Sequence, residues 1–281
     1  MTTARRSPTV RRRRLGRELR ELREAAELTI EQVGEALGCS DSKISRIETG
    51  QVSATPRDVR RMLELYGVSD EQRRRLLEKT LEAQQKDWWQ AYSDTLVVPL
   101  VGLEAEAASI RTYEPLLVPG LFQIEDYARA VIRALRPDLD PDRMERWVEL
   151  RMARQTHFKK DPPQVNAVVD EAVLRRPVGG RNAMGQQLHH LLDVCALPTV
   201  RLQVLPYEAG EHAGMTGGFT IFSFHESVIP DTVYLERTKD DLYVESLQEV
   251  QPYSQAFDSL RAAALSRDAS IEFLALLAKE V

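Results

Sequence analysis

The sequence contains little of what cross-links a chain, ligates a metal or crosses a membrane. Its 281 residues include only two cysteines, Cys39 and Cys195, which fit small buried positions in a reducing cytoplasm better than a disulfide or a redox sensor. The five histidines show no HExxH motif or other spacing of metal ligands. No stretch approaches the run of about 18 apolar residues that a membrane helix needs. We therefore expect a cytoplasmic protein with no metal site and no membrane span.

A catalytic constellation is also missing. The adjacent His189 and His190 would point to different faces of a helix. The glycines between Gly179 and Gly185 lack the Lys-Ser or Lys-Thr pair of a phosphate-binding loop. We expect neither an enzyme nor a bound cofactor. Hydrophobic residues make up 43% of the chain, which is enough for a core, and the length suggests two domains.

Residues 29–50 carry the signals of two short helices joined by a tight turn. Thr29 is suited to cap the first helix, and Gln32 completes a capping box. Gly38 fits the left-handed residue that ends this helix, and Ser40 can cap the next one. Four apolar residues at helical spacing would hold the two helices at a fixed angle: Val33, Leu37, Ile44 and Ile47.

The second helix of this pair would turn small polar and basic residues outward, which favours insertion into a DNA major groove. Ser42, Lys43 and Arg46 are best placed for base edges, and Lys43 or Arg46 can address guanine. Asp41 would accept from a cytosine amine or only shape the cap. The alternative is a helical hairpin used only for packing. The predicted DNA-contacting residues, phosphate contacts included, are Gln32, Ser40, Asp41, Ser42, Lys43, Ser45, Arg46 and Thr49, with Arg13 and Arg14.

Charge is unevenly distributed along the chain. Residues 1–61 contain 14 Lys and Arg against 9 Asp and Glu, a net charge of +5. Residues 62–281 contain 24 against 34, a net charge of −10. A basic end attracts DNA phosphates, and the acidic remainder repels them. We therefore expect DNA contact to be confined to the N-terminal domain.

A basic arm at residues 1–14 would precede the first helix. Pro8 and the lack of an apolar run behind the arm exclude a signal peptide. The arm would contact phosphates, enter a neighbouring minor groove or remain a solvated tail. Its arginines are Arg5, Arg6 and Arg11 to Arg14.

The helix pair resembles the Cro/repressor type of helix-turn-helix, found in the xenobiotic-response-element family of bacterial regulators. The likeness covers residues 13–68 and includes helices on both sides of the pair. It implies an all-α domain at residues 15–68 that binds a double-stranded DNA operator as a homodimer. The residues that carry it are Gly34, Gly38, Ser40, Ile44 to Glu48 and Gly50.

Two further segments follow: a helical connector at residues 69–92 and a mixed domain at residues 93–281. Leu76, Leu77 and Leu81 give the connector one apolar side, which makes it, or the mixed domain, the expected dimer interface. Because helices precede and follow a small sheet, the mixed domain is predicted to be α+β with a mostly antiparallel sheet. The predicted helices are 101–113, 124–135, 141–159, 182–194, 245–265 and 269–280, and the predicted strands are 164–170, 199–205, 218–224 and 232–236.

The mixed domain also resembles a family, the uncharacterised domain that follows the helix-turn-helix in many actinobacterial regulators, including WhiJ-like and antitoxin-like proteins. The resemblance implies a transcription factor that is often encoded beside a small partner protein. The segments that carry it are Glu104–Ala107, Leu117–Gln123, Asp126–Ala130, Arg151–Gln155, Asp170–Gly180, Gln187–Leu188, Val204–Pro206 and Gly218–Phe219; Phe122 and Ile124 depart from the expected Leu and Thr.

Two features of the mixed domain allow a functional or a structural interpretation. Arg151 and Arg154 lie one helical turn apart and would form an anion site, or would pair with Asp170 and Glu171. The glycine-rich segment 208–218 would be a lid, a partner-contact loop or a hairpin connection.

The sequence thus predicts a two-domain transcriptional regulator whose second domain senses a ligand or a small partner protein. The alternative is an antitoxin-like protein that chiefly binds a small partner and autoregulates its operon.

Overall fold

The computed structural model describes residues 10–84, 88–92, 98–160, 162–224, 230–237 and 241–280. The chain divides into two compact units, Met1–Leu103 and Glu104–Val281. The predicted fold class is confirmed, since the first unit is helical and the second is α+β with a six-stranded sheet. No helix in the described ranges is long and apolar enough to cross a membrane.

The first unit consists of helices, some of which begin at a local cap. Thr29 accepts a hydrogen bond from the backbone of Gln32, whose side-chain oxygen accepts one from the Thr29 amide at 2.8 Å, so the predicted capping box is present. Gly38 ends that helix with a left-handed φ of 69°. Ser40 occupies the next N-cap, but its side chain makes no capping bond. The helices are α1 (Val10–Ala25), α2 (Ile30–Leu37), α3 (Asp41–Glu48), α4 (Pro56–Leu65) and α5 (Asp70–Gln84), followed by a 3-10 turn at Trp88–Tyr92.

A single apolar core holds α1 to α5 together. It contains the four predicted contact residues of the helix pair and extends into α5 through Leu76, which is 1% exposed. Lys79 of α5 also reaches Glu18 of α1 at 2.5 Å. The core therefore continues beyond the boundary predicted at residue 68. Leu76 and the partly buried Leu77 are used in it, which leaves Leu81, 56% exposed, as the only one of the three open for an interface.

The second unit is built on one mixed sheet with the strand order β3-β2-β1-β4-β5-β6. Strands β1, β2 and β3 are parallel neighbours, and the β1–β4, β4–β5 and β5–β6 pairs are antiparallel. The strands are β1 (Ser109–Glu114), β2 (Gln164–Asp170), β3 (Val200–Leu205), β4 (Phe219–Ser223), β5 (Thr232–Leu235) and β6 (Leu242–Val244). The helices are α6 (Val98–Glu106), which spans the border between the units, α7 (Glu125–Leu135), α8 (Pro141–Phe158), α9 (Glu171–Arg175), α10 (Arg181–Cys195), α11 (Leu247–Ala263) and α12 (Arg267–Glu280).

The sheet differs from the prediction in three ways. The helix predicted at 101–113 ends at Glu106, and the central strand β1 follows it, because β2 and β4 hydrogen-bond to both of its edges. Strand β6 and helix α9 were not predicted. The glycine-rich segment is not a hairpin connection, since β3 and β4 are separated by two strands. Within it, a Cβ on Gly214 would fall 2.2 Å from the Tyr113 ring, so this backbone packs tightly on the sheet.

The two faces of the sheet have different partners. Tyr113, Val168 and Ile221 share a core with Phe257 and Leu260 of α11. Because side chains alternate between the faces of a sheet, Thr112 lies on the other face. It is aligned across the strands with Thr220 and Tyr234. The row continues along β1 and β5 toward the carboxyl edge of the sheet.

Candidate nucleic-acid interface

The second helix of the pair, α3, buries one side and exposes the other. Ile44 is fully buried and Ile47 is 2% exposed, and both lie in the core of the first unit. Ser42 and Arg46 are exposed on the opposite side. The helix therefore presents a polar surface whose orientation is fixed from beneath by apolar packing.

A buried ion pair fixes the end of α3 to α1. Arg23 donates to both carboxylate oxygens of Glu48, at 2.7 and 3.0 Å, and to the Leu28 carbonyl at 2.7 Å. Because the Glu48 carboxylate accepts these hydrogen bonds, it raises the pKa of Arg23 further above its ordinary value. The buried Tyr66 lies close enough for Glu48 to contribute to its raised pKa, after the larger effect of burial. Because two planar groups meet in a fork, α3 has little freedom to rotate on α1.

Close backbone contact accompanies the ion pair. A Cβ on Gly16 of α1 would fall 2.4 Å from the Ile47 carbonyl oxygen and 2.5 Å from that of Glu48. Gly50, with a φ of 71°, packs against the backbone of Arg13. Only residues without a side chain allow α1 to approach the end of α3 this closely.

Helix α4 supports the pair from its other side. Arg61 donates to the carbonyl oxygens of Leu37 and Ala36, at 2.8 and 2.7 Å, and so satisfies the end of α2. Lys43 of α3 pairs with Asp58 at 2.9 Å. Burial opposes ionisation of Asp58, but hydrogen bonds from Lys43 and Thr55 outweigh it and lower its pKa. Sequence reasoning missed Arg23, Asp58 and Arg61 as positioning residues because their partners lie 15 to 25 residues away.

The residues predicted to contact bases lie in different surroundings. Arg46 is exposed, and its Nε donates to the Ser42 carbonyl at 3.0 Å, so its terminal nitrogens extend along the open face. Lys43 is held by Asp58. Asp41 is exposed, but its carboxylate lies over α2, where a Cβ on Gly34 would fall 2.8 Å from its Oδ1.

The residues predicted to contact phosphates lie around these. Gln32 uses its side-chain oxygen in the capping box. Its side-chain nitrogen, Nε2, makes no hydrogen bond to the described part of the chain. Thr49 donates to the Ser45 carbonyl at 2.8 Å and is exposed at the end of α3. Ser40 is exposed at the start of α3.

Part of the predicted basic arm lies on a helix. Helix α1 begins at Val10, so Arg13, Arg14 and the two arginines before them lie on the helix and not ahead of it. Arg5 and Arg6 lie outside the described residues. The four helical arginines are half-buried, and Arg13 lies next to Gly50, at the far end of the turn that follows α3.

Comparison with known families matches both units. Residues 14–76 match a helix-turn-helix domain, which accounts for α1 to α4 and the first half of α5. Residues 97–275 match a domain of unknown function, DUF5753. The chain belongs to the DUF5753 family. The match at residues 14–76 shows that the first unit carries the helix-turn-helix of a DNA-binding regulator. Comparisons with curated proteins and with solved structures give no significant match.

The DUF5753 domain places its paired arginines differently from the prediction. Arg154 binds Glu104, whereas Asp170 caps α9 by accepting from the Ala172 amide at 2.8 Å. Glu171 pairs with Arg175. The predicted pairing of Arg151 and Arg154 with Asp170 and Glu171 is therefore wrong. In the described part of the domain and of the helical unit, no three His, Cys, Asp or Glu side chains converge in a way that would hold a metal ion.

Proposed function

We propose that this protein is a sequence-specific transcriptional regulator that inserts α3 into the major groove of an operator. The observation that carries the proposal is the exposed polar face of α3 on a helix whose other side is fixed by the core and by the Arg23–Glu48 pair. Rigid presentation matters because base readout needs donors held in register with base edges. The net charge of +5 over residues 1–61 supplies the attraction to phosphates.

Within this proposal, Ser42, Lys43 and Arg46 address bases, and Gln32, Ser45 and Thr49 contact phosphates. Lys43 must exchange Asp58 for DNA, which makes its contribution smaller than that of Arg46. Arg13 and Arg14 extend the phosphate contacts from the first turn of α1. The first unit is proposed to be of the Cro/repressor type and to act in the cytoplasm as a homodimer.

The DUF5753 domain is proposed to be the regulatory half, which senses a ligand or a small partner protein of the kind implied by the WhiJ-like resemblance. The alternative is an antitoxin-like protein that binds a cognate partner and autoregulates its operon. Native mass spectrometry of protein purified from its own host separates the two, because a polypeptide and a metabolite add very different masses.

The test of DNA binding compares the full chain with a fragment of residues 93–281 on an operator selected from random DNA. Only the full chain is expected to bind, and its affinity should fall steeply with salt because each phosphate contact releases counterions. A fragment that bound the operator as tightly as the full chain would contradict the proposal.

A further inference from the structure

The carboxyl ends of four strands, β1, β2, β3 and β5, lie at the same edge of the DUF5753 sheet, which is an arrangement that favours ligand binding. Strands β1, β2 and β3 are parallel, and β5 runs in the same direction because two antiparallel pairings separate it from β1. The chain leaves β1 towards β2 and β3, then returns on the other side of β1 as β4. Ligands of open α/β sheets bind outside the carboxyl ends of strands at such a reversal.

Two carboxylates extend from this edge. Glu114 is the last residue of β1 and accepts from the Thr112 hydroxyl at 3.4 Å, while Glu236 directly follows β5. No Lys or Arg nitrogen of the described residues lies within 4.0 Å of either carboxylate. Burial and the neighbouring Glu236 raise the pKa of Glu114 to about 8. Within the described part of the chain, neither acid therefore has a directly paired cation.

The guanidinium of Arg151 lies near these acids, since it acts to lower the pKa of Glu114, and Glu236 acts to raise the pKa of Arg151. Arg154 of α8 uses its fork on Glu104, at 2.7 and 2.5 Å, whereas Arg151 donates to Gln123 at 2.8 Å. Among the described residues, no carboxylate lies within 4.0 Å of Arg151. Burial and the adjacent Arg154 lower the pKa of Arg151 to about 10, although Glu236 opposes the shift. The positive and negative groups are thus close enough to influence one another without being paired.

Hydrogen bonds and a glycine hold Arg151 in place. Gln123 donates to the Val118 carbonyl at 2.7 Å, and its own carbonyl accepts from Gln155 at 2.5 Å. A Cβ on Gly120 would fall 3.1 Å from Nη1 of Arg151, so a glycine leaves the space this guanidinium occupies. The arrangement is organised before any ligand arrives.

We propose that Arg151, Gln123, Glu114 and Glu236 form a binding site, the sheet-edge site, for a small zwitterion that carries a carboxylate and an ammonium group, such as a free amino acid. Arg151 receives the carboxylate in its fork, and the two glutamates accept from the ammonium, whose positive charge favours the ionised form of Glu114. A simple anion would meet the two glutamates, and a simple cation would meet the Arg151 guanidinium, whereas a zwitterion satisfies both signs. The inference rests on the proposed function, because it names the effector class of the regulatory half.

The test measures the thermal unfolding of the full chain with each of the twenty amino acids in turn, and with acetate and methylamine as ligands carrying one charge each. At least one amino acid should raise Tm by about 3 °C, because it binds only the folded state. Acetate and methylamine should not. Arg151→Gln and Glu236→Gln should abolish the shift, whereas Arg143→Gln, an exposed position on the same helix, should retain it.

Three results would overturn the site: no amino acid shifts Tm, acetate or methylamine alone gives the same shift, or the shift survives in the folded variants. Glu236 is exposed, so its variant remains informative if Arg151→Gln does not fold. Operator binding is measured on the same preparations. Operator binding without an amino-acid response rejects this site alone, and an amino-acid response without operator binding rejects the proposed function alone.

Discussion

Arg46 and Lys43 lie one turn apart on α3 and have different partners. Lys43 is paired with Asp58, while the side chain of Arg46 donates to the Ser42 carbonyl of its own helix. An exposed guanidinium supported at Nε keeps its terminal nitrogens available for the two acceptors of guanine. The specificity of the helix is therefore expected to depend more on Arg46 than on Lys43.

Arg46→Ala should cost about 1–3 kcal/mol of operator binding and relax the preference at one base position. The measurement is a binding titration against the operator and its single-base variants. Arg20→Ala, which removes an exposed arginine of α1, is the matched control and should leave the base preference intact. Equal weakening on all sequences would make Arg46 a phosphate contact instead.

The raised pKa of Glu114 predicts that the stability of the protein depends on pH. Its folded pKa of about 8 lies above its ordinary value of about 4.3. Between these values the folded protein holds a proton that the unfolded chain has released, so the free energy of unfolding falls as pH rises through this window. Glu114→Gln removes this loss.

In urea unfolding of the full chain, the free energy of unfolding of E114Q should therefore rise relative to that of the wild-type protein between about pH 5 and about pH 8. Glu208→Gln, at an exposed position in the same unit, should show no such gain. A constant difference between E114Q and the wild-type protein across this window would contradict the assignment.

At the scale of elements, the position of α3 depends on groups outside the helix pair. The buried fork between Arg23 and Glu48 and the contact of Gly16 with the Ile47 carbonyl both join α3 to α1. Helix α5 closes the same core through Leu76. The position of α3 therefore depends on all five helices of the first unit.

Glu48→Ala should destabilise the helical unit by about 3–5 kcal/mol, because it leaves the buried Arg23 without its counter-ion. Glu21→Ala removes the exposed partner of Arg17 and should have little effect. Chemical unfolding of the full chain, followed by far-UV circular dichroism, measures the difference. Similar midpoints for the two variants would show that the buried fork adds no stability.

At the scale of the whole molecule, the proposed dimer follows from the small size of the reading element. One recognition helix contacts too few bases for specific binding at physiological salt, and two-fold pairing solves this. In the first unit, the large apolar side chains that the described residues expose are Leu65 and Leu81. The DUF5753 domain exposes more of them, including Leu116, Met215 and Leu247.

We expect footprinting to show two protected patches on one face of the DNA, about 10 base pairs apart, and light scattering to give a dimer. Leu116→Ser and Leu247→Ser test the DUF5753 surface, and Leu81→Ser tests α5, with the oligomeric state as the readout. A monomer both free and on the operator, with one short footprint, would exclude the dimer.

The sequence by itself determined the features whose causes are local. The capping box of Thr29 and Gln32 and the left-handed Gly38 follow from neighbouring residues, and so do the helix pair and most element types of the second unit. Strand β1 was predicted as helix because its pairing partners are more than 50 residues away. Local propensity does not contain that pairing.

Tertiary structure alone decided which polar groups meet. Glu48 belongs to a visible motif, but its partner Arg23 comes from another helix. In the sequence, Arg151 and Arg154 look equivalent. In the fold, Arg154 binds Glu104, whereas Arg151 donates to Gln123 at the sheet edge. Glu114 and Glu236 approach them only because β1 and β5 end at the same edge. The order of strands that are distant in the sequence cannot be inferred from any short segment, because it depends on the entropy lost in closing long loops and on the burial that offsets this loss.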